Sequence, residues 1–328
     1  MPHTLIHVGL HKAASTFLQQ KVFPHVEADY VFLAGHRRRL LDAIEGRANA
    51  FDPDWLREQV QRHLVERHAG RFSPKRSLIL SHEELSGHPH GHRCVDPSIV
   101  AENLHAAYPD ARILLILRNP LHYLRSLYTY RVTTKGMESR NLTRFLDEEG
   151  KAGLFEKLEY DRLIAVYDRI FGPGRVTVLP MELLTDHAEV FLNRVFRSAG
   201  VPSVDVAPCT RVNTSSSRAR VIAWWRPINA MLRPVPRTLA KLPAPLNAPD
   251  MRLRHAYYAM QRQINPWLER RFGGPKVRID KYPPYPELRE RCARSNARTQ
   301  GRLAKDGLPA SLAELGYPVA AQSQPMAA

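Results

Sequence analysis

Two short runs without a polar break, Ser77-Leu78-Ile79-Leu80-Ser81 and Arg112-Ile113-Leu114-Leu115-Ile116-Leu117, constrain the fold most. Strands this continuous in apolar side chains suit a sheet covered on both faces. They belong to a longer alternation. Candidate strands at Thr4–Val8, Tyr30–Leu33, Ser77–Ser81, Arg112–Leu117 and Arg175–Leu179 are separated by helix-like stretches near Ser15–Phe23, Asp54–Arg67, Asp96–Ala107, Pro120–Arg131, Tyr160–Phe171 and Asp186–Ala199. Strand and helix in turn predict an α/β fold, a parallel sheet flanked by helices and joined by right-handed crossovers.

The pattern changes after Gly200. Residues 227–249 hold six prolines (Pro227, Pro234, Pro236, Pro243, Pro245, Pro249), which predicts an extended segment rather than a helix or central strand. A helical pattern resumes around Arg252–Phe272, and from Tyr317 the chain reads as frayed. The expected organisation is an α/β core over 1–210, a basic, Pro-rich and mostly helical extension of the same domain over 211–316, and a disordered tail over 317–328. The longest aliphatic run, Ile113–Leu117, is far short of the ~20 residues of a membrane span. A strand pattern already under way at Thr4 leaves no room for a signal peptide. Cys94, Cys209 and Cys292 are too few and too scattered for a disulfide framework, so a reducing, cytoplasmic setting is expected.

Charge is unevenly spread. Residues 1–210 carry 27 basic and 25 acidic side chains, whereas residues 211–328 carry 21 and 7, a net of +14 within a total of +16. Such a field draws nucleotides, anionic glycans, nucleic acid or an anionic membrane face without choosing among them.

The first strand runs straight into Gly9-Leu10-His11-Lys12-Ala13-Ala14-Ser15-Thr16-Phe17. A helix opening there would present unpaired N–H groups to a phosphate-like anion, with Lys12 and the Ser15 and Thr16 hydroxyls adding charge and hydrogen bonds. It is not a Walker A loop, because Lys12 stands three residues before Ser15 instead of next to it. A capped helix with a solvated lysine would leave the same letters. A second strand ends at Arg118, with Pro120 opening the next helix and Ser126 eight residues beyond the arginine. Ligands of open α/β sheets collect at the carboxyl ends of strands, where a guanidinium forks onto phosphate oxygens. A surface ion-pair partner is the plainer reading of a lone arginine there.

Together the two segments resemble the sulfotransferases that use 3′-phosphoadenosine 5′-phosphosulfate (PAPS), the bacterial branch in particular. Gly9 through Leu18 looks like that family's 5′-phosphosulfate loop, and Arg118 through Ser126 looks like its 3′-phosphate motif. Val178-Leu179-Pro180-Met181-Glu182-Leu183-Leu184 resembles its strand and Glu-x-Leu turn. Ala14 departs from the pattern, which usually has glycine there. The resemblance spans Thr4 to Gly200. It implies a P-loop-like sheet and sulfuryl transfer from PAPS to a hydroxyl or amine, leaving 3′,5′-bisphosphoadenosine (PAP), with no metal. Gly9, Lys12, Ala13, Ala14, Ser15, Thr16, Phe17, Arg118 and Ser126 would hold the nucleotide, and Lys12 would neutralise the departing bridging oxygen. Asn213 and Ser215 match an Asn-x-Ser segment near nucleotide or acceptor, although a polar linker reads the same way. Glu83, in Ser81-His82-Glu83, matches the family's acidic position and is the first candidate for the general base, ahead of His82 and His11.

Other features remain open. His88, His90, His92 and Cys94 have spacing that invites a metal, but their alternation with Pro and Gly suits a solvated loop. Trp224-Trp225 with Arg226, Arg233 and Arg237 reads as an acceptor-side lid, a membrane-surface contact or plain packing. The basic third favours an anionic saccharide or glycolipid acceptor near the inner membrane surface. Two rival classes are a P-loop kinase-like phosphotransferase, which lacks its lysine spacing and a magnesium-binding aspartate, and a nucleic-acid binder, which leaves the paired nucleotide motifs unexplained.

Overall fold

The computed structural model describes residues 3–33, 38–46, 51–67, 76–87, 95–136, 138–206, 218–231 and 244–320, with the backbone alone at 38, 67 and 244–255. Five strands, β1 (Thr4–Gly9), β2 (Ala28–Phe32), β3 (Ser77–His82), β4 (Arg112–Leu117) and β5 (Val176–Pro180), form one parallel sheet in the order β2-β3-β1-β4-β5. The apolar runs occupy β3 and β4, which flank β1, and Ile79, Leu80 and Ile113 through Leu117 are essentially unexposed. Coverage on both faces accounts for their unbroken apolar character.

Helices fill the crossovers. α1 (Ser15–Phe17) continues through a π turn at Leu18–Val22, and is followed by α2 (Arg38–Ile44), α3 (Pro53–Arg67) and α4 (Pro97–Ala107). α5 (Pro120–Thr133), α6 (Leu142–Lys151) and α7 (Tyr160–Phe171) lie between β4 and β5, and α8 (Leu183–Asp186) and α9 (Ala188–Ala199) follow β5. Their ends obey local rules: Asp96 caps α4 by accepting from Ser98 N at 2.8 Å, and Gly200 closes α9 at φ 63°. Three further helices follow, α10 (Ala219–Met231), α11 (Ala244–Phe272) and α12 (Tyr285–Ala304).

The chain divides into two compact units, one of Met1–Pro120, Glu149–Val212 and Glu287–Ala328, the other of Leu121–Glu148 and Asn213–Pro286. In the first, α12 runs parallel to α7. Arg291 bonds Glu159 and Glu156 at 2.5 and 3.0 Å, Arg298 bonds Asp161, and Arg302 bonds Asp168 at 3.0 Å. Part of the C-terminal basic charge is therefore neutralised against the carboxylates of α7. The order also extends past the expected fraying point. Tyr317 is buried, its hydroxyl donates to Glu182 Oε2 at 2.7 Å, and Ala320 N donates to Ala293 O at 3.2 Å.

In the second unit, amide side chains close the carboxyl end of α5: Asn229 and Gln261 donate to Val132 O at 2.9 and 3.1 Å, and Asn265 donates to Thr133 O at 2.7 Å. These are carbonyls a helix end leaves without intrahelical partners. Both ends of the extended segment expected over 227–249 are helical instead, while residues 232–243, with Pro234, Pro236 and Pro243, lie outside the described residues. Pro227 sits inside α10, Pro245 is the second residue of α11 and Pro249 its sixth. Pro227 is on the exposed side of α10, where the carbonyl it leaves unbonded can be hydrated; Pro245, in the first turn of α11, removes no intrahelical bond, whereas Pro249 forgoes the one to the Pro245 carbonyl.

Candidate active site

The three central strands, in the order β3-β1-β4, end level with one another, with Val8 beside His82 and Gly9 beside Ile116. Their carboxyl ends thereby deliver Glu83, the loop Leu10–Ala14 and Arg118 to one edge of the sheet, the edge where α/β folds bind ligands.

The loop after β1 is tightly wound. Ala13 N donates to Leu10 O at 3.2 Å. Lys12 and Ala14, at φ 65° and 57°, are the only non-glycine residues with positive φ among those described. A Cβ in this region is crowded by the backbone, which explains why a glycine suits position 14. Ala14→Gly is therefore expected to raise stability by about 1 kcal/mol, read as a higher urea midpoint with an unchanged denaturant slope. Gly9 is required for a different reason. A Cβ on it would lie 2.5 Å from Ser15 Oγ and 3.0 Å from His7 Nε2.

Arg118 Nη1 donates to Lys12 O, so the end of β4 braces the loop. The corner beyond it is held by buried bonds: Tyr160 OH donates to Arg118 O at 2.6 Å, and Glu182 Oε1 accepts from Asn119 N at 2.9 Å. Glu182, in the Glu-x-Leu turn, also receives the Tyr317 hydroxyl, and its burial raises the carboxyl above its ordinary pKa. Ala13 and Phe17 are buried, so any part they take in ligand binding falls to their backbone. Ser15 Oγ is 3.4 Å from Leu10 O, and Ser126 lies on α5 within the second unit. Asn213, Ser215 and the His88–Cys94 loop lie outside the described residues. Among those described, no group of three or more His, Cys, Asp or Glu could hold a metal ion.

Glu83 opens the turn after β3. Gln19 Nε2 donates to Glu83 Oε2 at 3.3 Å and to Ser81 Oγ at 3.1 Å. Burial pushes the Glu83 carboxyl up, but His11 and His82, together with the donated N–H groups, outweigh it, and the net shift is downward. His82 is engaged in structure. Its Nδ1 accepts from Glu84 N at 3.1 Å and its ring stacks on Phe32. The half-buried His11 has its pKa lowered, chiefly by desolvation.

Sequence reasoning missed His7. It lies beside Ser81 in the sheet register, with Nδ1 2.8 Å from Ser81 Oγ, and it is fully buried. Ser81 accepts from Gln19, and where its own proton goes to His7 Nδ1 the imidazole proton sits on Nε2. That atom has no hydrogen-bond partner among the described residues and faces Gly9. The available signal was a pair of polar side chains, His7 and Ser81, in strands otherwise built of buried apolar residues.

Burial lowers the His7 pKa to about 4, from 6.5. The unfolded chain therefore binds this proton first on acidification. Stability is complete above pH 6.5 and falls by up to about 3 kcal/mol as pH drops from 6.5 to 4. Urea melts across that window should show the decline, and His7→Asn, which keeps an acceptor for Ser81, should flatten it.

The sheet order and the tight loop after its first strand define a P-loop-like α/β protein. The profile of the sulfotransferase family matches residues 5–205, and the chain belongs to that family. Similar solved structures include a sulfotransferase from Alicyclobacillus acidocaldarius, at 18% identity and TM-score 0.47, covering 73% of this chain and 98% of that one. The sulfotransferase domain from the curacin biosynthetic pathway is 14% identical at TM-score 0.35, covering 62% of this chain and 75% of its own. The sulfotransferase domain of the Synechococcus PCC 7002 olefin synthase is 15% identical at TM-score 0.33, covering 78% and 94%. No curated protein matches.

Proposed function

We propose that this sulfotransferase moves the sulfuryl group of PAPS to a hydroxyl, or an amine, of a saccharide or glycolipid acceptor. The observation that carries the reading is the convergence of Lys12, Arg118 and Glu83 at the carboxyl ends of three adjacent strands. Two local features suit the donor's anionic groups: the bare Cα of Gly9, and the buried Nε2 of His7 that faces it with no hydrogen-bond partner among the described residues. The loop N–H groups, Lys12, Ser15 and Thr16 would take the 5′-phosphosulfate, and Arg118 with Ser126 the 3′-phosphate. PAPS supplies an activated sulfuryl group and a nucleotide leaving group.

The chain's own residues then have three tasks. Glu83, held as a carboxylate at neutral pH, takes the acceptor's proton. Lys12 stabilises negative charge on the departing oxygen, which needs a fixed positive group in a desolvated loop. Arg118 keeps Lys12 in place through the Lys12 carbonyl, so its loss weakens both nucleotide binding and alignment. The acceptor class rests on the basic excess of the C-terminal third. Incubation with PAPS labelled in its sulfuryl group and an extract of source cells tests the reading. Label transferred to saccharide-bearing material supports it, and label that stays on the nucleotide overturns it.

A further inference from the structure

The basic excess is concentrated in the second unit. Its residues 121–148 carry 5 basic and 3 acidic side chains, and residues 213–286 carry 14 and 3, a net of +13 out of the chain's +16. Five of the seven exposed large apolar side chains among the described residues gather there too: Trp224, Met231, Met260, Trp267 and Phe272, with Met231 84% and Trp267 53% exposed.

These residues are arranged on an antiparallel helix pair. Arg220 Nη1 donates to Phe272 O, Trp225 Nε1 donates to Asn265 Oδ1, and Gln261 Nε2 donates to Asn229 Oδ1, so α10 and α11 run in opposite directions with a fixed register. That register sets Arg220 level with Arg271, Trp224 with Trp267, and Met231 with Met260. At about 100° per residue, Trp224 and Met231 lie roughly 100–140° from Trp225, which faces α11. Trp267 and Met260 lie at a similar offset, in the same sense, from the Gln261 and Asn265 stripe that faces α10. Equal offsets in the same sense on antiparallel helices point to one side of the pair. One face thus carries an arginine rung, a tryptophan rung and a methionine rung, the last two about 10 Å apart.

We propose that this face of α10 and α11 seats on an anionic lipid surface. Indole rings favour the headgroup boundary, where an apolar body and a polar N–H are both satisfied, and arginines beside them meet lipid phosphates. No helix among the described residues is long and apolar enough to cross a membrane, so the attachment is peripheral. A second copy of the chain is disfavoured as the occupant, because two faces of the same strong positive charge repel. A nucleic acid would use the arginines and leave the exposed methionines without a role.

The test uses the full chain with vesicles of phosphatidylcholine alone or mixed with phosphatidylglycerol, read by sedimentation and by quenching of tryptophan fluorescence with brominated lipid. Binding to the phosphatidylglycerol vesicles with quenching is expected. Trp224→Ser combined with Trp267→Ser should weaken it about tenfold or more and remove most of the quenching, with an unchanged thermal melt. Absence of binding at low salt overturns the proposal. So does binding that the double variant retains unweakened, which would be charge attraction alone. A dimer in light scattering that the same substitutions dissolve, or tighter binding to an oligonucleotide than to the vesicles, overturns it as well.

Discussion

Lys12→Ala is expected to lower turnover by about 10²–10³-fold or more, with the protein still folded. Lys12 stands in a loop whose backbone is held by the Ala13–Leu10 turn and by Arg118, so removing its side chain takes away a charge and little of the scaffold. The lost interaction is strongest when the nucleotide departs, so the fall should lie in kcat more than in nucleotide affinity. Lys12→Arg should restore little, since a planar fork does not replace a compact ammonium in a tight loop. Steady-state kinetics with labelled PAPS decide the matter, and near-normal turnover in Lys12→Ala removes Lys12 from the chemistry.

Glu83→Gln should slow turnover by about 10²–10⁴-fold while leaving PAP affinity within a few-fold of the parent. The amide keeps the shape and the bond from Gln19 but cannot take a proton. His82→Asn should affect stability more than rate, because His82 caps the turn after β3 and stacks on Phe32. Slow turnover in the His82 variant and fast turnover in the Glu83 variant would transfer the role of base to the histidine. Two fast variants would direct attention to His11.

The sheet was legible because its information is local. All five strands fall within two residues of the spans their apolar runs suggest, and α7 matches its expected span end to end. α12 was not legible. Its buried face is Leu288, Cys292, Ala293, Ser295, Asn296, Thr299 and Leu303, with small and polar residues filling the span between the two leucines, so no apolar stripe stands out, and the prolines before it read as breakers although Pro286 sits in its first turn. Its helical register is enforced by ion pairs with α7, which lies well over a hundred residues earlier. The same distinction runs through the site. Lys12, Glu83 and Arg118 could be picked out because each follows a recognisable strand. The brace from Arg118 to the Lys12 carbonyl, the His7–Ser81–Gln19 chain and the grip of Glu182 on Asn119 are tertiary, and no spacing in the sequence announces them. Glu182 was visible as part of a motif, but its task was not.

Calorimetry of PAP against AMP on the unmodified protein addresses the nucleotide site most directly, since the two ligands differ only in the 3′-phosphate. Tighter binding of PAP by about tenfold or more is expected, as a guanidinium–phosphate contact supplies a charge-assisted bond that AMP cannot form. The advantage should vanish in Arg118→Ala. Equal affinity of the unmodified protein for PAP and AMP would contradict a PAPS site built on Lys12 and Arg118.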